Sequence, residues 1–471
     1  MLDNPLMTIR LLLPALLLAA LQTSPDTQIM SEIRDHGKAA EDLAYLSDVI
    51  GSRLTGSESL GKAQDWAAEK MKEYGAENVH FESYDYPSRW VRGHDDYAQL
   101  LTQSGRQMEV HAMPWNPATK GRIKADLALL TGPVEELLKN VDRFKGKIVV
   151  LGPIAPTKDE KESAQLIRKL YKQLGTRAVA LLGSFEHGDG KFTMYGSPDD
   201  AYFDDYFDGW PRLPFGFLIA EDRSMLARLL RKGETVRMEL RLGGAITKRN
   251  IKERNVVGEI RGTERPDEVV LIGGHLDSWD LGTGTTDNGT GSIATLESLR
   301  VMKKLGLKPK RTIRFVLFSG EEQGSYGAKA YVQTHKAELP NLQAVLIHDL
   351  GAGKPSGFTI QGYTEWIPAL TKVLAPLEGI GANHIPVERH WDSDQDPFVV
   401  EGVPGFFLDQ DTTDYFASTH HSQTDMLSHV KPDEYLPSIQ AFAVAAWGFA
   451  NLPERVPHVP RGQMVGPGKD K

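Results

Sequence analysis

One stretch of sequence, VVLIGGHLDSWDLGTGTTDNGTG at residues 269–291, decides the fold. It begins with a short apolar run at 269–272, which predicts a buried strand. A helix is predicted to begin near Ser292 and to stop before Gly306 and Pro309. The stretch therefore combines a strand, a loop rich in polar residues and the start of a helix.

The same succession of strand and helix continues on both sides of this stretch. Apolar runs lie at 256–260, 313–318 and 344–347, and a further helix is predicted from Tyr326 to about Lys336. Strands that are apolar almost throughout and alternate with helices are typical of a mainly parallel sheet with helices on both faces. The predicted fold class is α/β, with ligand sites beyond the carboxyl ends of the strands.

The segment 107–247 has a different texture and predicts an inserted α/β domain. Its short apolar runs at 147–151 and 178–182 alternate with a predicted helix at 166–174. The resulting division of the chain is a signal peptide at 1–25, a main domain at 29–106 and 248–455, the insert at 107–247, and a tail at 456–471.

Composition excludes several classes of function. The chain has 471 residues, of which 40% are hydrophobic and 25% charged, so it has the means to bury a full core. A net charge of −9, with no basic stripe among aromatic residues, argues against a nucleic-acid partner. Since the chain has no cysteine, any metal must be bound by histidine and carboxylate groups.

The first 25 residues predict export. Arg10 precedes the apolar run 11–21, and two alanines lead from that run into the polar stretch 22–26. This order is typical of a secretory signal peptide. A membrane anchor is the alternative, but the run is shorter than the roughly 20 apolar residues of a spanning helix. We predict a secreted or periplasmic protein with no membrane span once the signal is removed.

Histidine and carboxylate residues follow the predicted strands. His275 and Asp277 come directly after the first strand, and residues two apart in extended chain share a face. Asp277 is therefore placed to accept a hydrogen bond from the second ring nitrogen of His275, which would improve that imidazole as a metal ligand. Asp287 lies where a helix begins, so the alternative for it is a helix N-cap.

Similar clusters follow the later strands. Glu321 and Glu322 come just after the run 313–318, although a pair of acids there also complements a helix dipole. Asp349 follows the run 344–347, and two histidines lie in a loop at 415–425. Together the clusters supply two histidine ligands, His275 and one of the loop pair, with four or five carboxylates, which is the composition of a site for two metal ions about 3.5–4 Å apart. Carboxylates at this density repel one another unless cations lie between them.

Several motifs carry a resemblance to a known family: RLTGS at 53–57, NVVGEI at 255–260, HLDSWD at 275–280 and the segment 393–405. They resemble the zinc exopeptidase family of bacterial leucine aminopeptidases and glutamate carboxypeptidases, and most of all its plasma glutamate carboxypeptidase branch. The resemblance implies a phosphorylase/hydrolase-like zinc peptidase fold. It makes the main domain the metallopeptidase catalytic domain and the insert a protease-associated-like domain.

The resemblance also implies which residues bind metal. Asp287 would bridge two zinc ions, with cobalt or manganese as alternative metals. His275 and Asp349 would complete the ligands of one ion, and Glu322 and His421 would complete those of the other.

Catalytic roles follow from the same resemblance. Glu321 would be the general base, and Asp277 would support the histidine two residues before it. His421 is preferred to His420 because the family's ligand precedes Ser or Thr and lies four residues before an acid, here Asp425.

Other positions concern the substrate or depart from the family. Tyr415 and His420 are candidates for contacts with the substrate or the developing oxyanion, although a loop aromatic is equally a pocket wall. Gln395 stands where many relatives have histidine, which leaves the shape of the pocket open. Asn288 stands where relatives often have a second aspartate, and in the family the peptide bond before it is cis.

The expected activity is hydrolysis of small peptides or dipeptides. An aminopeptidase acting on longer peptides, an amidase or cyclase acting on small amides, and a catalytically silent binding protein of the same fold are the alternatives. Which end of a peptide is trimmed stays open, and a homodimer is implied by the resemblance alone.

Overall fold

A computed structural model describes residues 23–102, 105–185, 188–198, 212–390 and 393–460. The strands of these residues are β1 (Glu77–Val91), β2 (Tyr97–Leu100), β3 (Gln107–Met108), β4 (His111–Ala112), β5 (Ile123–Pro133), β6 (Ile148–Ala155), β7 (Ala180–Gly183), β8 (Phe215–Phe217), β9 (Arg237–Arg241), β10 (Ala245–Ile260), β11 (Arg265–His275), β12 (Arg311–Phe318), β13 (Leu342–Ile347), β14 (Pro355–Thr359) and β15 (Gly405–Gln410).

The α-helices are α1 (Pro25–His36), α2 (Ala39–Ala44), α3 (Glu58–Glu73), α4 (Val134–Lys139), α5 (Glu160–Leu174), α6 (Ala220–Arg231), α7 (Thr290–Lys304), α8 (Tyr326–Thr334), α9 (Ile367–Leu374), α10 (Asp396–Val400) and α11 (Pro432–Asn451). Short 3-10 or π-helical turns lie at Tyr45–Ile50, Val141–Phe144, Thr285–Gly289, Leu339–Asn341, Thr364–Trp366, Ala375–Ile380, Tyr415–Thr419 and Leu427–His429.

The first sheet confirms the predicted α/β class. Its strand order is β1-β10-β12-β11-β13-β15-β14. The four strands β12, β11, β13 and β15 run parallel, whereas the pairings at both edges are antiparallel. β13 is buried along its whole length, as expected of a parallel strand with helices on both faces. Each apolar run that predicted a strand in this sheet lies within β10, β11, β12 or β13.

One strand is much longer than the sequence indicated. β10 begins at Ala245, because its first half pairs with β1 as a long antiparallel ribbon. Residues 245–250 are largely exposed and rich in polar side chains, so they lack the apolar pattern that predicts a strand.

The register of the central strands brings their carboxyl ends to one level. His275, the last residue of β11, lies opposite Phe318, the last residue of β12. Gly273 of β11 lies opposite Ile347, the last residue of β13. The loops that follow β11, β12 and β13 therefore leave the sheet side by side.

Helix α7 packs unusually close to this edge of the sheet. A Cβ atom at Gly291 would overlap the carbonyl oxygen of His348, and one at Gly274 would lie 3.0 Å from that same oxygen. Because neither position has room for a side chain, the start of α7 rests directly on the ends of β11 and β13. This contact brings the residues just before α7 next to His275.

A second sheet is formed by residues between Tyr97 and Arg241, in the strand order β3-β2-β9-β5-β6-β7-β8-β4. The predicted strands of this segment correspond to β6 and β7, and its predicted helix corresponds to α5. Its core is continuous with buried side chains of the first sheet and its loops, among them Tyr84, Trp90 and Trp279. The two sheets thus share packed side chains. The assignment of this part as a protease-associated-like domain stays a prediction.

The predicted signal peptide falls almost entirely on residues 1–22, outside the described residues, and so does the end of the tail from residue 461. Both assignments stay predictions. None of the described helices combines the length and apolar character needed to cross a bilayer.

We predict that Gly291→Ala destabilises the fold, whereas Gly61→Ala stabilises it. The methyl group at position 291 must push α7 away from His348, and overpacking of this kind costs about 1–3 kcal/mol. Gly61 lies inside α3, and apart from its chain neighbours and the helix backbone no heavy atom of the described residues lies within 4 Å of an added Cβ, so alanine there should add about 0.5–1 kcal/mol. Urea denaturation measures both changes. Equal midpoints for the two variants would contradict the close contact.

Candidate metal centre

Three of the predicted metal ligands meet at the end of β11. His275 is fully buried, and its Nε2 atom lies 3.1 Å from Oδ1 of Asp349 and 3.3 Å from Oδ1 of Asp287. Asp349 lies two residues beyond β13, and Asp287 lies in the π-helical turn that precedes α7. The common level of the strand ends brings Asp349 to His275, and the close contact of α7 with the sheet brings Asp287 to both.

The other two predicted ligands lie on the opposite side of Asp287. Nε2 of His421 lies 3.1 Å from Oε2 of Glu322 and 3.5 Å from Oδ2 of Asp287. One oxygen of Asp287 therefore faces His275, and the other faces His421. The Asp287–Asn288 peptide bond is cis, as expected from the resemblance.

The donor atoms of this cluster fit a metal ion. Both side-chain oxygens of Glu322 and Oδ2 of Asp287 are buried, and within the described part of the chain none of them accepts a hydrogen bond. Burying a polar group without a partner is costly, so a buried carboxylate needs a cation or a donor. Imidazole nitrogens and carboxylate oxygens are ligands that zinc binds in proteins.

The electrostatics of the cluster lead to the same conclusion. Burial, reinforced by neighbouring carboxylates, raises the pKa of Glu322 and of Glu321 well above the usual value. Burial also opposes ionisation of Asp287, but the facing His275 and His421 lower its pKa. Burial and the adjacent His420 lower the pKa of His421, which favours the neutral imidazole that binds metals. A divalent cation would stabilise all the carboxylates in their ionised form.

Glu321 occupies a different position from Glu322. Its Oε2 atom lies 3.9 Å from Nε2 of His275, and its backbone amide donates a hydrogen bond of 3.4 Å to Oδ1 of Asp277. Its side chain lines the open cleft, but only 8% of the residue's surface is exposed to solvent. Of the two adjacent glutamates, Glu322 contacts His421, whereas Glu321 faces His275.

Asp277 supports His275 mainly through its backbone. Nδ1 of His275 lies 3.0 Å from the carbonyl oxygen of Asp277 and 3.6 Å from its carboxylate Oδ1. The sequence predicted the carboxylate as the partner of this ring nitrogen, but the shorter contact is made by the carbonyl group. The carboxylate instead accepts a hydrogen bond of 2.7 Å from the hydroxyl of Thr55 and the longer one from the amide of Glu321.

Asp425 orients the turn that carries Asp287. Its Oδ1 accepts hydrogen bonds from the amide and the hydroxyl of Thr286, at 2.7 and 2.8 Å, and its Oδ2 accepts one of 3.1 Å from the amide of Asp287. Burial and the nearby Asp287 raise its pKa to about 7. In the sequence, Asp425 stands out only as the acid four residues after His421, and no local pattern indicates that it positions the turn of Asp287.

Arg53 is a second supporting residue that the sequence analysis left without a role. The side chain is completely buried, and its guanidinium donates hydrogen bonds of 2.6 Å to the carbonyl oxygens of Leu276 and Gly284. It also donates hydrogen bonds of 2.8 Å to the carbonyl oxygens of Gly51 and Thr283. Arg53 thereby joins both ends of the loop between β11 and the turn of Asp287. The signal in the sequence was an arginine within the RLTGS motif.

The short segment that contains Gln395 also supports the cluster. Ser393 donates a hydrogen bond of 2.6 Å to Oδ2 of Asp349. The adjacent Asp394 is fully buried, and within the described residues neither carboxylate oxygen has a hydrogen-bond partner. Gln395, which replaces the histidine of many relatives, is also buried and donates to the carbonyl oxygen of His390 at 3.1 Å.

A cleft of about 280 Å³ opens onto the cluster. Tyr415 and His420, the predicted contacts for substrate, both line it. The ring of His420 stacks on that of His421 with 3.8 Å between centroids. Other walls come from His390, Phe407, Phe416 and, from the loop after β7, Tyr195. No motif in the sequence indicated that Tyr195 reaches this cleft.

Both loop histidines lie near Asp287. Donor atoms of Asp287, His420 and His421 lie within 4.8 Å of one another, as do those of His275, Asp287 and Asp349. His421 is the better placed of the pair, because its Nε2 contacts Glu322 as well as Asp287.

The chain is similar in sequence and in fold to known peptidases. Residues 255–445 match the sequence model of peptidase family M28. Carboxypeptidase Q of Bos taurus is 32% identical over 427 residues, which cover 90% of this chain and 88% of the bovine protein. A peptidase M28 precursor from Shewanella amazonensis SB2B has a TM-score of 0.78 at 26% identity, covering 93% of this chain and 98% of that one. A zinc aminopeptidase from Bacillus subtilis shares the fold, with a TM-score of 0.63 at 19% identity over 87% and 93% of the two chains.

We predict that Arg53→Lys lowers the free energy of unfolding by about 2–3 kcal/mol, because a lysine cannot reach all the carbonyl oxygens that the guanidinium holds. Urea denaturation provides the measurement. Arg34→Lys is the matched control: Arg34 is exposed and pairs with its neighbour Asp35, so its midpoint should not change. An Arg53→Lys midpoint equal to that of wild type would show that the loop does not depend on these bonds.

Proposed function

This chain belongs to peptidase family M28 and is a zinc metallopeptidase, and from that membership we propose that it is an exopeptidase that hydrolyses small peptides or dipeptides with two zinc ions. One observation carries the proposal. Asp287 lies between two imidazoles, with one carboxylate oxygen toward His275 and the other toward His421. A carboxylate in that position is suited to bridging two cations.

The remaining ligands divide between the two ions. His275 and Asp349 would complete the ligands of one ion, and Glu322 and His421 those of the other. Bound zinc supplies Lewis acidity to the nucleophilic water and to the peptide carbonyl group. Cobalt or manganese would fit the same donors, so the metal that the protein carries in its cell is a separate question.

Glu321 is the residue proposed to move the proton. Its carboxylate lines the cleft beside His275 but lies outside the two sets of ligands. We assign it the general base that takes a proton from the attacking water and then delivers it to the leaving amine. Burial raises the pKa of Glu321, which strengthens it as a proton acceptor once the cluster's charge is balanced. Asp277 holds the amide of Glu321 and the ring of His275 at the same time.

The walls of the cleft favour a short substrate. Its volume is small, and Phe407 and Phe416 contribute apolar surface to its walls. We propose that Tyr415 and His420 contact the substrate, with Tyr415 as a candidate donor to the oxyanion. The names of the relatives include both a carboxypeptidase and an aminopeptidase, so they support action at a chain end and leave the end itself to experiment.

Glu321→Gln should bind two zinc ions as wild type does but lose about 10²–10⁴-fold in turnover, because the amide cannot accept the proton. The isosteric Glu322→Gln is the matched contrast, since it should lose zinc as well as activity. Zinc per chain is measured by plasma mass spectrometry, and turnover on a dipeptide by release of free amino groups. Wild-type turnover in Glu321→Gln would remove Glu321 from this role.

A panel of dipeptides with free and blocked ends tests the proposed activity. The zinc-loaded protein should cleave dipeptides whose ends are both free and should lose activity when one particular end is blocked. A requirement for the free amino group would indicate an aminopeptidase, and one for the free carboxylate a carboxypeptidase. Cleavage that is indifferent to both would favour an amidase, and no cleavage by protein carrying two zinc ions would contradict the peptidase proposal.

A further inference from the structure

His421 is anchored less firmly through its side chain than His275. Nδ1 of His275 lies 3.0 Å from a carbonyl oxygen, whereas Nδ1 of His421 is buried and has no hydrogen-bond partner among the described residues. A histidine that binds metal usually donates from its second nitrogen, and that bond fixes the orientation of the ring. Some other contact must therefore orient His421.

The backbone of His421 is held by a segment from the region of the second sheet, residues 190–195. The amide of Met194 donates a hydrogen bond of 2.8 Å to the carbonyl oxygen of His421. Thr193 forms an antiparallel bridge with Ser422, the next residue. His421 itself has a φ of 55°, in the left-handed region that few residues other than glycine adopt. Its conformation is thus set by its surroundings.

Side chains tie the same two segments together at further points. The amide oxygen of Gln423 accepts a hydrogen bond of 2.8 Å from the backbone of Phe192, and its nitrogen donates one of 3.1 Å to the carbonyl oxygen of Gly190. Lys191 donates a hydrogen bond of 3.2 Å to the carbonyl oxygen of Ala417. The segment 190–195 therefore follows the loop of His421 over several residues.

Aromatic rings enclose the imidazole. The ring of Tyr195 meets that of His421 edge to face, with 4.6 Å between centroids and an interplanar angle of 67°. Trp279 lies 5.6 Å from the same imidazole, and His420 stacks on it. Phe185 packs against Tyr195 at 4.5 Å, so the tyrosine ring is itself supported from the second sheet. Since no group of the described residues bonds to Nδ1, these rings limit how far the imidazole can turn.

We propose that the segment 190–195 positions His421 for metal binding, with Tyr195 as the positioning residue that replaces the missing hydrogen bond at Nδ1. The inference rests on the proposed function, because it takes His421 as a zinc ligand. It makes the retention of one zinc ion depend on a residue from the region of the second sheet. The ligands proposed for the other ion alone, His275 and Asp349, lie at the ends of β11 and β13 of the first sheet.

The test compares Tyr195→Ala and Tyr195→Phe with wild type by measuring zinc bound per chain against increasing concentrations of a competing chelator. Tyr195→Ala should bind one of its two zinc ions about 10–100-fold more weakly and the other unchanged. Tyr195→Phe should match wild type, because the ring makes the contact. Tyr171→Ala, which removes a half-buried tyrosine packed against the core of the second sheet, should also match wild type.

Three results separate the possibilities. Two unchanged affinities in Tyr195→Ala would overturn the positioning role, and so would equal weakening of both ions. A wild-type protein that binds fewer than two zinc ions would instead contradict the proposed function. If circular dichroism shows that Tyr195→Ala does not fold, Gln423→Ala takes its place. This variant removes the two hydrogen bonds to the segment 190–195 and should weaken the binding of the same single ion. Unchanged affinities in Gln423→Ala would overturn the inference.

Discussion

Repulsion among buried carboxylates is the constraint on which this structure depends. Asp287, Glu321, Glu322 and Asp349 share a space from which water is largely excluded, with two imidazoles beside them. Burial makes each negative charge costly, and proximity adds to that cost. A bound cation between the carboxylates would offset both costs. The apolar parallel strands supply the rigid floor, because loops that leave them at one level must meet.

Holding such a cluster requires support from uncharged and oppositely charged groups. Arg53 is buried beneath the cluster and binds carbonyl oxygens of the loop before Asp287, so it places a positive charge there without competing for the carboxylates. Asp425 accepts hydrogen bonds from backbone amides of the turn that carries Asp287. Glycine at position 291 lets α7 approach the sheet closely enough for that turn to reach His275. Each of these residues positions the backbone that carries the proposed ligands.

The two sheets contribute unequally to this arrangement. Most of the proposed ligands come from loops at the ends of β11, β12 and β13, which are fixed by the strands themselves. His421 comes from a long loop after β15, and its backbone pairs with a segment that follows β7 of the second sheet. The shared core around Trp90 and Trp279 packs side chains of the two sheets against one another. A cleft with walls from both sheets therefore has a defined shape.

The sequence by itself determined the α/β class, the strands that carry the site and the clusters that follow them. These are local properties: apolar runs predict buried strands, and parallel strands expose their carboxyl ends on one edge. Only the tertiary structure shows the contacts of Arg53, Asp425 and Tyr195 and the carbonyl partner of Nδ1 of His275. Such contacts join residues far apart in the chain, and no local pattern encodes them. The polar half of β10 was likewise missed. It has no apolar face, and it is a strand because it pairs with β1.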